Sequence, residues 1–223
     1  MLLTAETITV TYKSRAKRVQ AVLAATVQLA AGELVVVSGP SGSGKSSLLL
    51  TLGGLLRPDT GIVRFRETDV YQLAATARAA FRNRHIGFVF QQFHLIPYLT
   101  VLENIMAPTL AGNAVEKSAD PRELIARFQL NHRAEHYPSQ LSTGERQRVA
   151  LARALFHNPD VILADEPTGN LDDVNGRIVI DHLQSIAAEG RGVLVVTHDA
   201  RLRPAATRSL TLIQGTLTQE KSA

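Results

Sequence analysis

Residues Gly39–Ser46 read GPSGSGKS, which fits the pattern G-x-x-x-x-G-K-[ST] of a phosphate-binding loop (P-loop). The loop follows an apolar run, Leu34–Gly39, and precedes a helical pattern, which is the context such a loop requires. Glycines let backbone N–H groups wrap phosphates, Lys45 can neutralise β and γ oxygens, and the Ser46 hydroxyl can ligate Mg²⁺. A flexible Gly-Ser turn is the alternative, but chance matches occur in roughly one chain in a hundred of this length. The sequence therefore predicts a nucleoside triphosphate site.

A pair of adjacent carboxylates, Asp165 and Glu166, ends the second apolar run, Val161–Glu166. An acid pair without a purpose is costly so close to the interior, although such a pair also occurs in exposed turns. Together with the P-loop, the pair predicts hydrolysis of the triphosphate. Asp165 is expected to hold the magnesium shell, and Glu166 to orient and deprotonate the attacking water.

Continuously apolar runs indicate strands that are buried on both faces. Three segments are continuously apolar and end in small or polar residues: Leu34–Gly39, Val161–Glu166 and Val193–Asp199. They predict a parallel sheet covered by helices, with ligands beyond the carboxyl ends of the strands. The alternating residues before Ala30, and the segment Gly61–Val70, predict strands of a half-exposed antiparallel sheet.

The pattern of apolar and polar residues becomes typical of helices between Gln91 and Gln140. Within this segment Asp120 is a candidate helix cap, with Pro121 at the first helical position and Glu123 in the first turn. We expect an all-helical insert in the sheet protein.

The polar start of LSTGERQRVALARAL, Leu141–Leu155, has two interpretations. Ser142 and Glu145 have the spacing of a capping box, which predicts a helix that runs to about His157. The unpaired N–H groups at such a helix start also favour phosphate. Local residues alone do not decide between a cap and a phosphate contact.

Composition narrows the class of protein. The chain has 223 residues, 45% hydrophobic, with a formal net charge of +4 and no cysteine. No apolar stretch approaches the roughly 18 residues of a membrane span, and no secretory signal is recognisable, so we expect a cytoplasmic protein. The basic clusters Tyr12–Arg18 and Arg78–His85 lack interleaved aromatic residues, and direct nucleic-acid binding is not expected.

These motifs occur in the order found in the ATP-binding subunits of ATP-binding cassette (ABC) transporters, which the chain resembles over nearly its whole length. The resemblance assigns Tyr12 to adenine stacking, Gln91 to the Q-loop, Asp172 to the D-loop and His198 to the switch histidine. ATP-binding candidates are Tyr12, Gly39, Pro40, Ser41, Gly42, Ser43, Gly44, Lys45, Ser46 and Ser47. Signature candidates are Leu141, Ser142, Thr143, Gly144 and Glu145. Catalytic candidates are Glu166, His198 and Gln91, and magnesium candidates are Ser46, Gln91 and Asp165.

The resemblance also implies an architecture. The fold class is α/β, a RecA-like P-loop NTPase core with a mainly parallel sheet, an N-terminal antiparallel β subdomain and an α-helical subdomain. Residues 1–223 would form one ATP-binding domain, with 1–91 and 141–223 as the core and 92–140 as the helical subdomain. The cofactors would be ATP and Mg²⁺.

The resemblance further implies partners. Two copies would pair head to tail as a homodimer, each signature facing the other copy's ATP. Separate integral membrane permease subunits would hold the pair at the inner face of the cell membrane. A coupling helix would dock beside the insert after Gln91, and apolar candidates for this surface, for which ordinary core is an equal alternative, are Phe93, Leu95, Ile96, Tyr98 and Leu99.

Within the family, GFVFQQFHLIPYLTVLENIMAP and DEPTGNLD resemble the branch that serves lipoprotein release, macrolide and peptide export, and cell division.

The signature departs from L-S-G-G-Q at Thr143 and Glu145. Glutamate preserves the capping box, whereas Thr143 places a β-branched side chain where glycine would allow a positive φ, so the tightness of an ATP-bound dimer does not follow from the resemblance. The alternative functions are an ABC-type ATPase acting on nucleic acid or the ribosome, and a P-loop kinase. The former would need a coiled coil or a second cassette, and the latter an acceptor-binding lid.

Overall fold

Strands in two sheets and the helices that cover them make up the computed structural model, which describes residues 1–13, 18–111 and 118–219. The strands are β1 (Leu3–Lys13), β2 (Arg18–Leu29), β3 (Leu34–Ser38), β4 (Thr60–Phe65), β5 (Thr68–Asp69), β6 (Ile86–Val89), β7 (Val161–Asp165), β8 (Gly192–Thr197), β9 (Arg208–Ile213) and β10 (Thr216–Gln219). The α-helices are α1 (Lys45–Leu52), α2 (Ala75–His85), α3 (Val101–Met106), α4 (Pro121–Arg127), α5 (Thr143–Leu155) and α6 (Asp173–Ala188). Short 3₁₀ helices span Ala107–Ala111, Asn131–Arg133, Pro138–Gln140 and Ala200–Ala205.

The larger sheet has the order β10-β9-β3-β8-β7-β6, and all its pairings except β10 with β9 are parallel. The three apolar runs are therefore neighbours, as predicted. Ser38 is in register with Thr197, and Asp165 with Val196, so β3, β8 and β7 end at one edge. Residues that follow these strands are brought together there.

Both faces of the larger sheet are covered, which explains the continuous apolar runs. On one face Val35 and Val37 pack with Leu48 and Leu49 of α1. On the other face Leu34 and Val36 belong to a core that includes residues of α5 and α6. Every residue of β3 and β8 is buried.

The smaller sheet is antiparallel, in the order β2-β1-β4-β5. It confirms the strands predicted before Ala30 and in the segment Gly61–Val70. Alternate residues such as Ala25, Val27 and Leu29 are buried against α1 and the larger sheet. The fold class is confirmed as α/β, with this sheet beside a mainly parallel one.

The insert after Gln91 is helical in its described part. Asp120 caps α4 by accepting a hydrogen bond from the Arg122 N–H, and Pro121 opens the helix, as predicted. Phe128 is fully buried against residues of α5 and α6. Residues 112–117 of the expected subdomain, and 14–17 of the first basic cluster, lie outside the described residues.

Helix α5 ends at Leu155, two residues before the predicted end at His157. Asn158 adopts a left-handed φ of 51° and donates its N–H to Leu155 O. This turn closes the helix early, since Asn tolerates the left-handed region. In the described part of the chain, no helix combines the length and apolarity needed to cross a membrane.

Candidate active site

The P-loop backbone packs closely against strands β2 and β9. Gly44 has a φ of 103°, and a Cβ there would lie 1.8 Å from Ala21 O of β2. A Cβ on Gly39 would lie 2.2 Å from Leu212 O of β9. Glycine is therefore required at both positions, because backbone atoms cannot move aside as a flexible side chain can.

Lys45, the first residue of α1, turns its side chain back into the loop. Its Nζ donates hydrogen bonds to Gly39 O at 2.9 Å and Pro40 O at 3.1 Å. The same Nζ lies 3.7 Å from Glu166 Oε1, and both side chains are buried. The ammonium group is thus held at the mouth of the loop, with a carboxylate opposite it.

Glu166 is fixed by the strand next to its own. It follows β7 with a φ of 46°, and its N–H donates to Val196 O of β8. Its Oε2 accepts hydrogen bonds from Thr197 Oγ1 at 2.8 Å and the His198 N–H at 3.2 Å. His198 Nδ1 lies 2.9 Å from Oε1. The oxygen that faces Lys45 therefore also faces the imidazole.

Asp165 and Ser46 form the part of the site that suits a magnesium ion. The carboxylate of Asp165 accepts a hydrogen bond from Ser46, while burial raises the pKa of Asp165 and the hydrogen bond opposes this. A divalent cation would compensate a buried carboxylate, and hydroxyl and carboxylate oxygens are ligands that Mg²⁺ prefers. Among the described residues no group of three or more His, Cys, Asp or Glu side chains could hold a metal alone.

A cleft of about 690 Å³ joins these groups. Its lining residues are Tyr12, Val19, Ala21, Pro40, Ser41, Gly42, Gly44, Lys45, Ser46, Ser47, Gln91, Asp165, Glu166 and His198. Tyr12 is 47% exposed on its wall, and its hydroxyl lies 3.1 Å from Ser47 Oγ. Of the P-loop candidates, Gly39 and Ser43 are outside the lining, and buried Ser43 Oγ lacks a hydrogen-bond partner.

The signature candidates lie apart from this cleft. Among the described residues that line it, none belongs to Leu141–Glu145. Ser142 Oγ accepts from the Glu145 N–H, and Glu145 Oε2 accepts from the Ser142 N–H at 2.7 Å, so the capping box is present. Thr143 is the first helical position of α5 and has no positive φ, so the backbone conformation that glycine would allow is not used there. The sterically restricted position is Gly144, whose added Cβ would lie 2.3 Å from Asn175 Oδ1.

Asp172, the D-loop candidate, has a structural role as the N-cap of α6. Its carboxylate accepts the Asn175 N–H at 2.8 Å and is solvent-exposed. The D-loop candidate is consequently close to Gly144 through Asn175.

Sequence reasoning missed residues that support the site without matching a motif. Val19 and Ala21 line the cleft from β2, and Thr197 orients Glu166. Asp199 accepts hydrogen bonds from Thr168 Oγ1 at 2.6 Å and from Arg201. The polar ends of β7 and β8 were a signal for Thr197 and Asp199, whereas nothing in the sequence pointed to Val19.

Comparisons with known proteins agree with this geometry. A family model described as ABC transporter matches residues 23–169. The lipoprotein-releasing system ATP-binding protein LolD of Desulfotalea psychrophila is 41% identical over 222 residues, 98% of this chain and 99% of the relative. LolD of Maricaulis maris is 47% identical over 211 residues, 93% of this chain and 92% of the relative.

Solved structures of the cassette MJ0796 are similar throughout. One is described as the dimeric structure of a bacterial ABC transporter cassette, the other as a dimeric post-hydrolysis state bound to ADP and Pi. Each has a TM-score of 0.88 and 35% identity, and the match covers 99% of this chain and 100% of the MJ0796 chain. With the P-loop, the acid pair and the histidine in one cleft, these matches place the chain in the ABC transporter family, and it is an ATPase.

Proposed function

We propose that this chain is the ATP-hydrolysing subunit of a lipoprotein-releasing transporter. Two copies pair head to tail with two ATP molecules between them and drive separate membrane subunits. The observation that carries the proposal is the single cleft that contains Lys45, Asp165, Glu166 and His198 but no signature residue. A second copy's helix start would complete such a half-site.

In the proposed site the chain's own groups bind and orient the triphosphate. Lys45 exchanges its carbonyl partners, Gly39 O and Pro40 O, for phosphate oxygens, and the P-loop amides surround the rest. Exposed Tyr12 stacks on the adenine ring. Ser46, Asp165 and Gln91 would hold a Mg²⁺ ion, which would supply charge neutralisation for the triphosphate.

Glu166 is proposed as the general base. A water oxygen forms a bond to the γ-phosphorus as the bridging oxygen leaves with its electron pair on the β-phosphate, and the water proton passes to Glu166. The hydrogen bonds from Thr197 and the His198 N–H fix Oε2, which leaves Oε1 to face the reaction. His198 Nδ1, 2.9 Å from Oε1, is in position to stabilise the products' charge.

The membrane subunits are proposed to dock beside the helical insert, for which we propose residues 92–140. A groove of about 310 Å³ lies there, between β6, α5 and the segment after Gln91, and Phe88, Phe90 and His94 are among its lining residues. Of the apolar candidates, Tyr98 is 75% exposed, whereas Leu95 packs against the core. The two relatives named as lipoprotein-releasing proteins support this partner class and a peripheral position on the inner face of the membrane.

The test of hydrolysis and pairing is Glu166→Gln. The amide keeps the shape of the side chain but accepts a proton poorly, so ATPase activity should fall about 100-fold or more. ATP binding should remain, and a dimer should accumulate with ATP, measured by light scattering after gel filtration. Unchanged turnover would show that Glu166 is not the base.

The test of the membrane partner is affinity purification from membranes, with the bound proteins identified by mass spectrometry. Wild-type protein should retain membrane-spanning subunits, and Tyr98→Asp should lose most of them while keeping its ATPase activity. Ile213→Asp is a matched control, because Ile213 is also exposed, at 53%, but belongs to β9. Recovery of nucleic acid or ribosomes instead would contradict the proposal.

A further inference from the structure

The signature helix α5 contains a buried negative charge in its first turn. Glu145 is only 8% exposed. One carboxylate oxygen accepts the Ser142 N–H at 2.7 Å, and the other accepts Arg133 Nε at 2.8 Å. A capping box needs only the first of these contacts. The second contact comes from another element, the 3₁₀ helix Asn131–Arg133.

The negative charge of Glu145 affects how strongly the N-terminus of α5 can attract an anion. The N–H groups of Thr143 and Gly144 have no partner within α5, and the helix dipole makes this end partly positive. A nearby anion is therefore favoured, but a carboxylate in the same turn opposes a phosphate through like-charge repulsion, which is strong in a buried setting. A neutral glutamine at this position, as in L-S-G-G-Q, would bring no such repulsion.

We propose that Arg133 neutralises Glu145 and thereby keeps the start of α5 attractive to the γ-phosphate of ATP held by a second copy. The inference rests on the proposed head-to-tail function. Arg133 acts through Glu145 and is a positioning residue. It allows the signature to use glutamate for capping without weakening phosphate contact.

The position of Arg133 supports this role. It follows Leu130, which is fully buried, and its N–H donates to Leu130 O, so the turn that presents it is anchored in the core. Two other basic side chains, His132 and Arg148, lie near Glu145. His132 Nε2 is 3.7 Å away but 66% exposed, and Arg148 lies one turn further along α5. Of these three side chains in the described part of the chain, Arg133 is the one that donates a hydrogen bond to the carboxylate.

The ionisation of Glu145 is consistent with the pair. Burial alone raises its pKa, but hydrogen bonds from Ser142 and Arg133 outweigh burial and lower the pKa to about 2. The carboxylate is thus charged at neutral pH. Its charge has to be matched when an ATP phosphate approaches.

The experiment measures the ATP concentration for half-maximal dimer formation in the Glu166→Gln background. Arg133→Gln should raise it about tenfold, a factor that corresponds to about 1.4 kcal/mol, and more so at low salt. Adding Glu145→Gln should restore the parent value to within about twofold. Arg133→Lys, which keeps the charge, should stay within about threefold. Arg127→Gln is the matched control, because Arg127 pairs with Glu189 away from the signature.

Each outcome decides the proposal. Failure of Glu145→Gln to rescue, or an equal defect from Arg127→Gln, would overturn it, because a packing role would then explain the loss. Normal dimer formation by Arg133→Gln would overturn it as well. If the Glu166→Gln parent itself forms no dimer with ATP, the proposed function fails and takes this inference with it. Thermal unfolding of the monomers shows whether a variant is folded, and Arg133→Lys remains decisive if Arg133→Gln is not.

Discussion

Glu166 shows how a single residue can be placed by its backbone. Its left-handed φ of 46° costs a residue with a Cβ about 1–2 kcal/mol. The turn sends the side chain back over β8, where Thr197 and His198 bind it and Lys45 lies 3.7 Å away. Strain of this kind persists where surrounding contacts fix it, commonly at functional sites. The geometry gives a physical reason why the position of Glu166, the proposed base, is well defined before nucleotide binds.

Asp199 gives a prediction about pH at the same scale. Burial raises its pKa, but hydrogen bonds from Arg201 and Thr168 outweigh this and lower the pKa from 3.8 to about 2. A lowered native pKa contributes stability that is complete above the unfolded value and is lost as pH falls towards the native value. Asp199→Asn should therefore be less stable than wild type at pH 6 by about 2 kcal/mol, and the difference should shrink by about 1 kcal/mol at pH 3.

Urea unfolding at the two pH values measures this difference. Asp173→Asn is the control, because Asp173 also pairs with Arg201 but is 95% exposed. A stability gap for Asp199→Asn that does not change with pH would contradict the assigned cause.

Residue types and spacing predicted most of the groups that line the cleft, because a P-loop and an acid pair have few other uses. They could not predict the contacts that orient those groups. Arg133 and Glu145 are joined across a turn, and Thr197 reaches Glu166 from another strand. Such pairs depend on the path of the chain rather than on a local pattern.

At the scale of elements, the start of α5 is joined to α6. A Cβ on Gly144 would lie 2.3 Å from Oδ1, 2.6 Å from Cγ and 3.2 Å from Cβ of Asn175. Rotating the Asn175 side chain would relieve the two shortest contacts but would leave the tight contact with its Cβ. Asn175 also donates its Nδ2 hydrogens to Asp172, so the signature and the D-loop candidate share this contact.

Gly144→Ala should therefore destabilise the protein by about 1–3 kcal/mol, as overpacking does in well-packed sites. Thr143→Ala is the matched control at the preceding helical position and should change stability by less than about 0.5 kcal/mol. Urea unfolding of both variants measures the effect. If Gly144→Ala were as stable as Thr143→Ala, the helices α5 and α6 could move apart at little cost in free energy.

The sequence predicted the elements better than their ends. Apolar runs identified β3, β7 and β8 because strands buried on both faces have few alternatives. The end of α5 was placed two residues too late: Asn158 and Pro159 were expected to stop the helix at about His157, but the left-handed turn at Asn158 returns its N–H to Leu155 O and already includes the two residues before it. The positive φ that glycine would allow at Thr143 does not occur, because the residue lies inside a helix where its φ is ordinary.

The whole molecule is proposed to work as half of a symmetric pair, with the P-loop on one copy and the signature on the other. The separation of Leu141–Glu145 from the cleft residues supports this arrangement. Each copy would then supply its P-loop to one ATP site and its signature to the other. The claim predicts that damage to different parts can be complemented in a mixed dimer.

The most direct test combines two inactive variants. Lys45→Ala removes the main countercharge for the triphosphate, and Ser142→Arg blocks the signature. In a mixed dimer one site has both lesions, whereas the other has an intact P-loop from the second protein and an intact signature from the first. Mixing should restore a measurable part of the ATPase activity, with a tagged pull-down to verify that mixed dimers form. If mixed dimers are present and neither hydrolyse nor occlude ATP, each signature serves its own chain or none, and the head-to-tail account is wrong.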